Sequence, residues 1–420
     1  MKTKKGKKFL KIFAVFMAVL VAFIGITTVI TVIGLNANIN KAHSFSAVEA
    51  DELKLENPSA GTWNIYSDRG IKVLQLTDTH FGGGWMSHKK DSMALNAIAA
   101  MITAEKPDLV IVTGDVAYPV PFQAGTFNNK SGAKLFAELM ETLGVYWTVS
   151  YGNHDTEAYS YYGRDDITAF YEQYPHCLMR KGPDDVDGYG NQVFNIVNSD
   201  GIITRSLFTV DSHSYVDGDY FGLMWKYDNI HDNQIEWYRE TVKANQTHNK
   251  MKLYSSSDSS FSERNLAVLN PKSSVFLHVP LTEYRDAWNE YVENGYADTE
   301  NVRYNYGKAG ESGKVVYPGL YEDNFFETML EMHSTDSVFC GHDHLNNFSV
   351  NYKGIDLTYS YSVDYLAYTG IYKLGSQRGC TVIDIDENGA IEYSAQNYYQ
   401  DKYISHYEKE NVTMQELGAE

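Results

Sequence analysis

The sequence predicts an α/β fold built on a largely parallel β-sheet. Between residues 71 and 150, short runs rich in β-branched residues alternate with longer segments whose apolar residues recur at helical spacing. Such a βαβαβ order forms parallel strands joined by right-handed crossovers. With 420 residues, 43% of them hydrophobic and 14% aromatic, the chain can form one large α/β domain with appendages, and disorder of the whole chain is excluded.

The first half of the chain carries this pattern most clearly. Asp91 is a good helix N-cap, and Gly144 is a typical residue just past a helix end. In chain order the predicted elements are strand 71–77, helix 91–106, strand 107–113, helix 131–144 and strand 145–150.

The second half is richer in strands. Two of them flank the turn “SDG” and predict a β-hairpin. Two irregular polar segments, at about 252–272 and 285–323, are expected to be surface insertions, which near strand ends often shape a substrate pocket. The predicted elements are hairpin strands 192–198 and 205–211, helix 231–245 capped by Asp232, and buried strands 273–279, 336–341 and 379–386.

The N-terminus predicts a membrane anchor. Lysines concentrate in residues 1–11, and residues 12–35 then run for 24 residues without a charge. A membrane-spanning helix needs about 20 apolar residues, and flanking lysines stay in the cytoplasm. We therefore expect a cytoplasmic segment 1–11, a transmembrane helix or signal anchor 12–35, a spacer 36–65 and a domain outside the membrane. The alternative is a signal peptide cleaved near Ala50, which would give a secreted protein.

The charge distribution argues against nucleic acid as a partner. The whole chain carries −19, and because residues 1–50 hold seven lysines and one acid, residues 51–420 carry −25. A body this acidic repels nucleic acid at long range. It can still bind a phosphate where metal cations supply positive charge.

Side chains of metal-ligand type follow five of the predicted strands. In open α/β sheets, ligands gather at the carboxyl ends of strands because the loops converge there. Each cluster by itself has a simpler explanation, since a lone histidine at a strand end is usually a satisfied core residue and Asp after Gly is usually a turn residue. The residues are Asp78 and His80 in “LTDTH”, Asp115 in “TGD”, Asn153, His154 and Asp155 in “GNHD”, His278 in “FLHVP”, and His342 and His344 in “GHDH”.

The last cluster is the most specific of the five. His342 and His344 are two residues apart, which in a strand places both imidazoles on one face. Two imidazoles rarely share a face without a metal. Together with the other four clusters, this pair predicts a metal site.

The series D-x-H, GD, GNHD, HVP and GHxH, in this order, resembles the calcineurin-like metallophosphoesterase family over most of residues 70–350. The stretches “LQLTDTHFG”, “GYGNQVFNI” and “VFCGHDHLNNF” are similar to the branch of plant and fungal phosphatases grouped with purple acid phosphatases. The resemblance implies two mixed β-sheets packed as a sandwich and flanked by helices, the four-layer metallophosphoesterase fold. It would occupy residues 66–400 and leave 401–420 as a tail.

The resemblance also implies a centre of two divalent or trivalent metal ions. Asp115 would bridge the ions, and His154, oriented by Asp155, would face the phosphate and its leaving oxygen without binding metal. Oxygen and nitrogen donors of this kind accept Mn, Fe, Zn or Ni. The first ion would be held by Asp78, His80 and His344, and the second by Asn153, His278 and His342.

General chemistry supports this division of roles. Two cations about 3.5–4 Å apart repel each other and need a bridging anion between them. The cations also lower the pKa of water, so that a hydroxide is available near neutral pH to attack phosphorus in line. The metals would neutralise the phosphoryl oxygens, and His154 would stabilise the leaving side.

Three further residues are candidates for the substrate pocket. His213 follows a predicted strand and is equally well explained as a surface-loop histidine, and His88 lies in the loop after the first metal motif. Tyr118 stands in “GDVAY”, where purple acid phosphatases carry an iron-binding tyrosine, but the first motif of those enzymes is D-x-G. Because this chain has His80 at that place, we expect Tyr118 to line the pocket or to lie behind the metal ligands.

Two classes of function follow from the sequence. The first is a membrane-anchored phosphoesterase acting on a phosphate-ester small molecule or phosphorylated substrate, with monoesters favoured and diesters as the alternative at the same site. The second is a catalytically inactive, membrane-tethered binding protein, because some relatives in this branch carry names that question their activity. Loss of His154 or of a ligand would favour the second class. None is missing, so the sequence favours an enzyme.

Overall fold

A computed structural model describes residues 4–49, 52–255, 268–311, 313, 315–368, 371, 378–407 and 409–412. Within them, two β-sheets pack face to face between layers of helices, as the family resemblance implies. The helices are α1 Lys4–Ala42, α2 His88–Glu105, α3 Asn129–Leu143, α4 Arg164–Tyr171, α5 Asp232–Ser255, α6 Thr282–Glu293 and α7 Phe325–Met332.

Fourteen strands in the described part of the chain make up the two sheets. They are β1 Lys54–Ser59, β2 Thr62–Tyr66, β3 Ile71–Leu76, β4 Leu109–Thr113, β5 Tyr146–Ser150, β6 Gln192–Val197, β7 Ile203–Thr209, β8 Lys272–Phe276, β9 Val302–Tyr306, β10 Thr335–Cys340, β11 Ser349–Tyr352, β12 Ile355–Tyr359, β13 Gly379–Ile385 and β14 Ile391–Asn397. The larger sheet has the order β1-β2-β6-β7-β8-β10-β12-β11-β9, and the smaller has the order β14-β13-β3-β4-β5.

Both sheets are mixed, with a parallel centre. In the smaller sheet β3, β4 and β5 pair in parallel, which confirms the predicted βαβαβ unit. In the larger sheet β7, β8, β10 and β12 are parallel, and β6 and β7 form the predicted antiparallel hairpin. Parallel strands carry their following loops at one end of the sheet, and that end holds the residues described below.

Three buried clusters hold the layers together. Between the sheets, Val73 and Ile111 of the smaller sheet meet Phe276 and Phe339 of the larger one, whose rings stack at 5.1 Å. Helices α2 and α3 cover the outer face of the smaller sheet, and α5, α6 and α7 cover the outer face of the larger sheet. The result is the expected order helix, sheet, sheet, helix.

The N-terminal helix is longer than its charge-free stretch. Residues 12–35 are helical as expected, and their length and composition suit a membrane span or a signal sequence. Helix α1 continues to Ala42, and its last turns pack on the domain. Asn38 Nδ2 donates to the carbonyl of His88 at 2.9 Å, and Lys41 Nζ donates to the carbonyl of Ser92 at 2.7 Å.

The expected spacer 36–65 is therefore structured. It contains the end of α1 and the strands β1 and β2, and β2 pairs in parallel with β6. Trp63 and Ile65 are buried between the sheets and alternate with less buried polar residues, the pattern of a strand with one buried face. The domain thus begins before residue 66. It also extends into the expected tail 401–420, because Tyr403 is buried against the helical layer.

The two expected insertions also differ from the sequence interpretation. Segment 285–323 contains most of α6 and the whole of β9, which pairs with β11 at the edge of the larger sheet. Its tyrosines pack on each other, with the ring of Tyr304 stacked on that of Tyr291 at 5.1 Å. The many tyrosines of this segment therefore belong to a packed edge strand and the helix beside it. Of segment 252–272, residues 256–267 lie outside the described residues.

Candidate functional site

The seven predicted metal ligands converge at one end of the two sheets. Each lies just beyond the carboxyl end of a parallel strand, and all are buried except His342, which is half-buried. Because the two sheets face each other, the loops of both close over a single site. Asp78 and His80 follow β3, Asp115 follows β4, Asn153 follows β5, His278 follows β8, and His342 and His344 follow β10.

Four of these residues form a first compact group. Asp78, His80, Asp115 and His344 each offer a ligand atom, and these atoms all lie within 4.8 Å of one another. His80 Nε2 lies 3.2 Å from Asp115 Oδ2, and His344 Nε2 lies 3.2 Å from Asp78 Oδ1. The arrangement brings two carboxylates and two imidazoles around one point, the donor set of a transition metal.

A second group shares Asp115 with the first. His278 Nε2 lies 3.1 Å from Asn153 Oδ1, 3.3 Å from His342 Nδ1 and 3.3 Å from Asp115 Oδ2. The Nδ1 atom of His278 is held at 2.8 Å from the carbonyl of Thr113, which leaves Nε2 facing the group. Asp115 Oδ2 therefore lies between the two groups.

The residues present fit bound cations. Asp78 Oδ1 is buried and accepts no hydrogen bond from the described residues, although His344 Nε2 is near. Burial lowers the pKa of His80 and His278, but the carboxylates of Asp364 and Asp115 outweigh it and raise the pKa of each to about 9. Protonated imidazoles thus balance the buried carboxylates in the metal-free chain. Metal ions can replace those protons.

The backbone is strained where it presents the ligands. Asp78, His80, Asp115 and His342 have φ angles of 50°, 48°, 54° and 74°, in the left-handed region that non-glycine residues rarely adopt. Strain of this kind concentrates at functional sites, where the surrounding fold holds it in place. Beside them, a Cβ atom at Gly152 would lie 2.2 Å from Asp115 Oδ1, so only glycine fits.

Asp364 belongs to the site and was not found in the sequence. Its Oδ1 lies 3.2 Å from His80 Nδ1, and its Oδ2 lies 3.2 Å from His344 Nδ1. The backbone N–H groups of residues 366–368 donate to the same carboxylate at 2.6–2.8 Å and fix it. One carboxylate thus orients two imidazoles so that both present Nε2 to the first group. The sequence signal that could have identified Asp364 is an acidic residue shortly after β12, a strand that the sequence did not predict.

His154 lines the open side of the site, but its predicted partner is wrong. Its Nδ1 lies 2.6 Å from Glu157 Oε1, whereas the Asp155 carboxylate accepts backbone N–H groups from Asp115, Ala117 and Gly152, each at 2.9 Å. Asp155 therefore joins the loop after β4 to the turn after β5 and does not orient His154. The tight turn points the side chain of Asp155 at backbone N–H groups and the side chain of Glu157 at the imidazole of His154.

A cleft of about 450 Å³ opens over the two groups. Aromatic residues flank its histidines: Tyr118 lies 4.8 Å from the His154 ring, and Tyr227 lies 4.2 Å from the His342 ring. The hydroxyl of Tyr118 donates a hydrogen bond to Gln123 Oε1 at 2.6 Å, so the proton of this phenol is bound to the Gln123 side chain. Among the described residues that line the cleft, none is a lysine or arginine, and Glu157, Glu311 and Asp343 are acidic.

The other two pocket candidates lie elsewhere. His88 Nε2 is 3.0 Å from the carbonyl of Ile30, so His88 packs against α1. His213 stacks on His231 with 4.0 Å between ring centroids, and its Nε2 is 2.8 Å from Gln234 Oε1. Neither lines the cleft, because the loops that carry them turn toward neighbouring helices.

Comparison with known proteins gives a consistent family match. The family model described as “Calcineurin-like phosphoesterase” matches residues 71–346. The chain is 27% identical to “Probable inactive purple acid phosphatase 14” of Arabidopsis thaliana, covering 72% of each chain. It is 26% identical to “Probable inactive purple acid phosphatase 29” of the same plant, covering 76% of this chain and 77% of the relative. It is 26% identical to “Phosphatase DCR2” of Saccharomyces cerevisiae, covering 67% of this chain and 45% of the relative.

The role of Asp364 can be tested by metal binding. Asp364→Asn keeps the shape of the side chain but removes the charge that orients His80 and His344. We expect the affinity of one of two bound metal ions to fall by about 10–100-fold, the usual effect of losing such a partner. Isothermal titration with Mn²⁺, together with elemental analysis of the bound metal, measures this affinity and the stoichiometry.

Asp91→Asn is the matched control. Asp91 is also a buried carboxylate, and it accepts hydrogen bonds from Gly82, Gly83 and Ser87 without touching the site histidines. Equal losses of metal affinity in both variants would show a general effect on folding and would contradict a specific role for Asp364.

Proposed function

The chain belongs to the calcineurin-like phosphoesterase family, and from this premise we propose that it hydrolyses phosphate monoesters at a centre of two metal ions. The observation that carries the proposal is the position of Asp115 Oδ2, 3.2 Å from His80 Nε2 and 3.3 Å from His278 Nε2. A carboxylate oxygen between two groups of ligands is what two neighbouring cations require.

The first ion would be held by Asp78, His80 and His344, the second by Asn153, His278 and His342, and both by Asp115. When bound, the ions supply a water of lowered pKa as the nucleophile and positive charge for the phosphoryl oxygens. Tyr215 supports this arrangement, because its hydroxyl accepts a hydrogen bond from Asn153 Nδ2 at 2.8 Å and so turns Asn153 Oδ1 toward His278.

His154 is the proposed acid on the leaving side. Its Nδ1 is occupied by Glu157 at 2.6 Å, which leaves Nε2 to donate a proton to the departing oxygen. Its backbone N–H donates to Asp115 Oδ1 at 2.7 Å, so the imidazole is fixed relative to the proposed bridging carboxylate. Because the described cleft lining has no lysine or arginine, the phosphate depends on the metal ions for its counter-charge.

A second candidate function is supported by the names of two relatives, which contain the word “inactive”. In that case the chain would bind metal or phosphate without turnover. Against it stands the presence of all seven proposed ligands in two adjoining groups, with His154 in the cleft above them. Hydrolysis of phosphodiesters at the same site is the alternative within the enzymatic proposal.

The proposed location is the outer face of a membrane. Helix α1 supplies a charge-free run long enough to span a bilayer, and the lysines that precede it favour a cytoplasmic N-terminus. Cleavage of this helix as a signal sequence would instead release the domain.

Hydrolysis is the direct test of the proposal. The purified full-length chain in detergent is expected to hydrolyse p-nitrophenyl phosphate with added Mn²⁺, faster than it hydrolyses bis-p-nitrophenyl phosphate, and excess chelator is expected to abolish both activities. If neither ester turns over with Mn²⁺, Zn²⁺, Fe²⁺ or Ni²⁺, the enzymatic proposal is wrong. Binding of two ions without turnover would then support the second candidate.

The pairing of His154 with Glu157 predicts a graded loss of activity. Replacement His154→Asn is expected to lower kcat by about 10²–10⁴-fold, the range for loss of a general acid. Glu157→Gln keeps the imidazole but weakens its orientation, so a smaller fall in kcat with little change in KM is expected. The exposed Glu172→Gln is the control, and an equal fall in that variant would contradict the assignment.

The position of Tyr118 predicts a colourless protein. Its hydroxyl is bound to Gln123, and burial raises its pKa, so the phenol stays protonated. The iron-loaded protein is therefore expected to lack a visible tyrosinate charge-transfer band. A band that is present in the wild-type absorption spectrum and absent in Tyr118→Phe would show that Tyr118 binds iron.

A further inference from the structure

The face around the cleft exposes an unusual amount of apolar surface. Segment 220–225, with the sequence YFGLMW, lies beside the cleft, and Leu223 is 80% exposed. Phe122 is 88% exposed, and Met86 and Phe127 are also exposed. We call segment 220–225 with Met86, Phe122 and Phe127 the apolar rim. Soluble surfaces rarely gather so many large apolar side chains without a partner.

The parts of the apolar rim are neighbours. Phe127 contacts Tyr159 at 6.1 Å between ring centroids, and Tyr159 stacks on Phe221 at 6.5 Å. On the other side, a Cβ at Gly125 would touch both Trp85 and Met86. The rim therefore crosses the loops after β3, β4, β5 and β7, which are the loops that surround the cleft.

Helix α1 leaves the domain at this same face. From its C-terminal end toward its N-terminal end it passes Ser92, then His88, and then Trp85, whose ring lies 6.0 Å from that of Phe23. Trp85 belongs to the loop after β3, next to the rim. The residues before Phe23 thus project beyond the face that carries the cleft.

The length of α1 sets the depth of that face in a membrane. A span of about 20 residues that starts at Ile12 ends near Thr31. Trp85 contacts Phe23, which lies eight residues inside that end, or about 12 Å at 1.5 Å per residue. A helix that spans the bilayer while packed in this way must carry the rim into the outer leaflet.

We propose that the apolar rim inserts into the outer leaflet and that the cleft receives phosphate esters carried by membrane lipids. This inference rests on the proposed function and names its substrate class. Apolar contact is the driving force, because residues 51–420 carry a charge of −25 and are repelled by anionic headgroups. Tryptophan and tyrosine in the rim suit the headgroup region, where amphipathic rings accumulate. We infer that the lipid bilayer, and not a second copy of the chain, covers the apolar rim, because α1 holds the membrane against this face.

The test compares a lipid-borne and a soluble ester in the same membranes. The full-length chain is reconstituted into phosphatidylcholine vesicles that contain phosphatidic acid, and p-nitrophenyl phosphate is added to the outside. We expect the double variant Leu223→Glu, Met224→Glu to keep turnover of the soluble ester and to lose about tenfold or more on phosphatidic acid, because two apolar side chains no longer enter the lipid.

Met251→Glu is the matched control. Met251 is 67% exposed near the C-terminal end of α5, beside Lys252, which packs against the Gly201 turn at the opposite end of the larger sheet. It is expected to leave both activities unchanged. If the rim variant still hydrolyses phosphatidic acid at the wild-type rate, or if the wild type hydrolyses only the soluble ester, the inference is wrong and the proposed function stands. If the wild type hydrolyses neither ester, the proposed function is wrong and the substrate assignment falls with it.

Membrane depth provides a second measurement, independent of turnover. A spin label at Leu223→Cys is compared with one at Met251→Cys, because the three native cysteines are buried and free. We expect the label at 223 to collide with oxygen and to be shielded from a water-soluble nickel chelate, and the label at 251 to show the reverse. Equal accessibility at both positions would contradict insertion. Dipolar broadening between labels at 223 would show that a second copy covers the rim instead.

Discussion

The structure depends on burying three carboxylates, Asp78, Asp115 and Asp364, within one small volume. Such charges cannot remain buried without positive partners. In the chain alone, His80, His278 and His344 supply them, and their pKa values are raised as a result. The same imidazoles present nitrogen atoms to metal ions once their protons leave. The same histidines therefore balance the charge of the buried carboxylates and provide the nitrogen atoms that the proposed metal centre uses.

The scaffold satisfies this constraint by ending strands from two sheets at one place. The strands that precede the ligands are buried over their last four residues, so that the sheet holds the start of each turn. The turns then adopt left-handed backbone angles that would be unfavourable in isolation. Asp155 contributes by binding three backbone N–H groups from two different loops. Its buried carboxyl is thus a support for the loops rather than a participant in the proposed reaction.

The same end of the molecule also carries the apolar rim and the exit of α1. This coincidence links three features that are separate in the sequence: the charge-free N-terminal run, the loop 220–225 and the strand-end histidines. An acidic body with an apolar, aromatic opening is poorly suited to large anionic partners in solution. It suits a site that receives its substrate from a surface.

The sequence by itself determined the parallel α/β core, the seven ligand-type residues and the helical N-terminus, because periodicity and strand-end motifs are local in the chain. It did not reveal the strands β1, β2, β9, β11, β12 and β14, in which apolar residues are few and are interspersed with polar ones. Only the tertiary structure decided that Glu157 rather than Asp155 meets His154, since that choice depends on how a turn directs each side chain. It also decided that Asp364, 284 residues beyond His80, orients two imidazoles at once. Contacts between distant strand ends are set by the packing of the two sheets, and no local pattern encodes them.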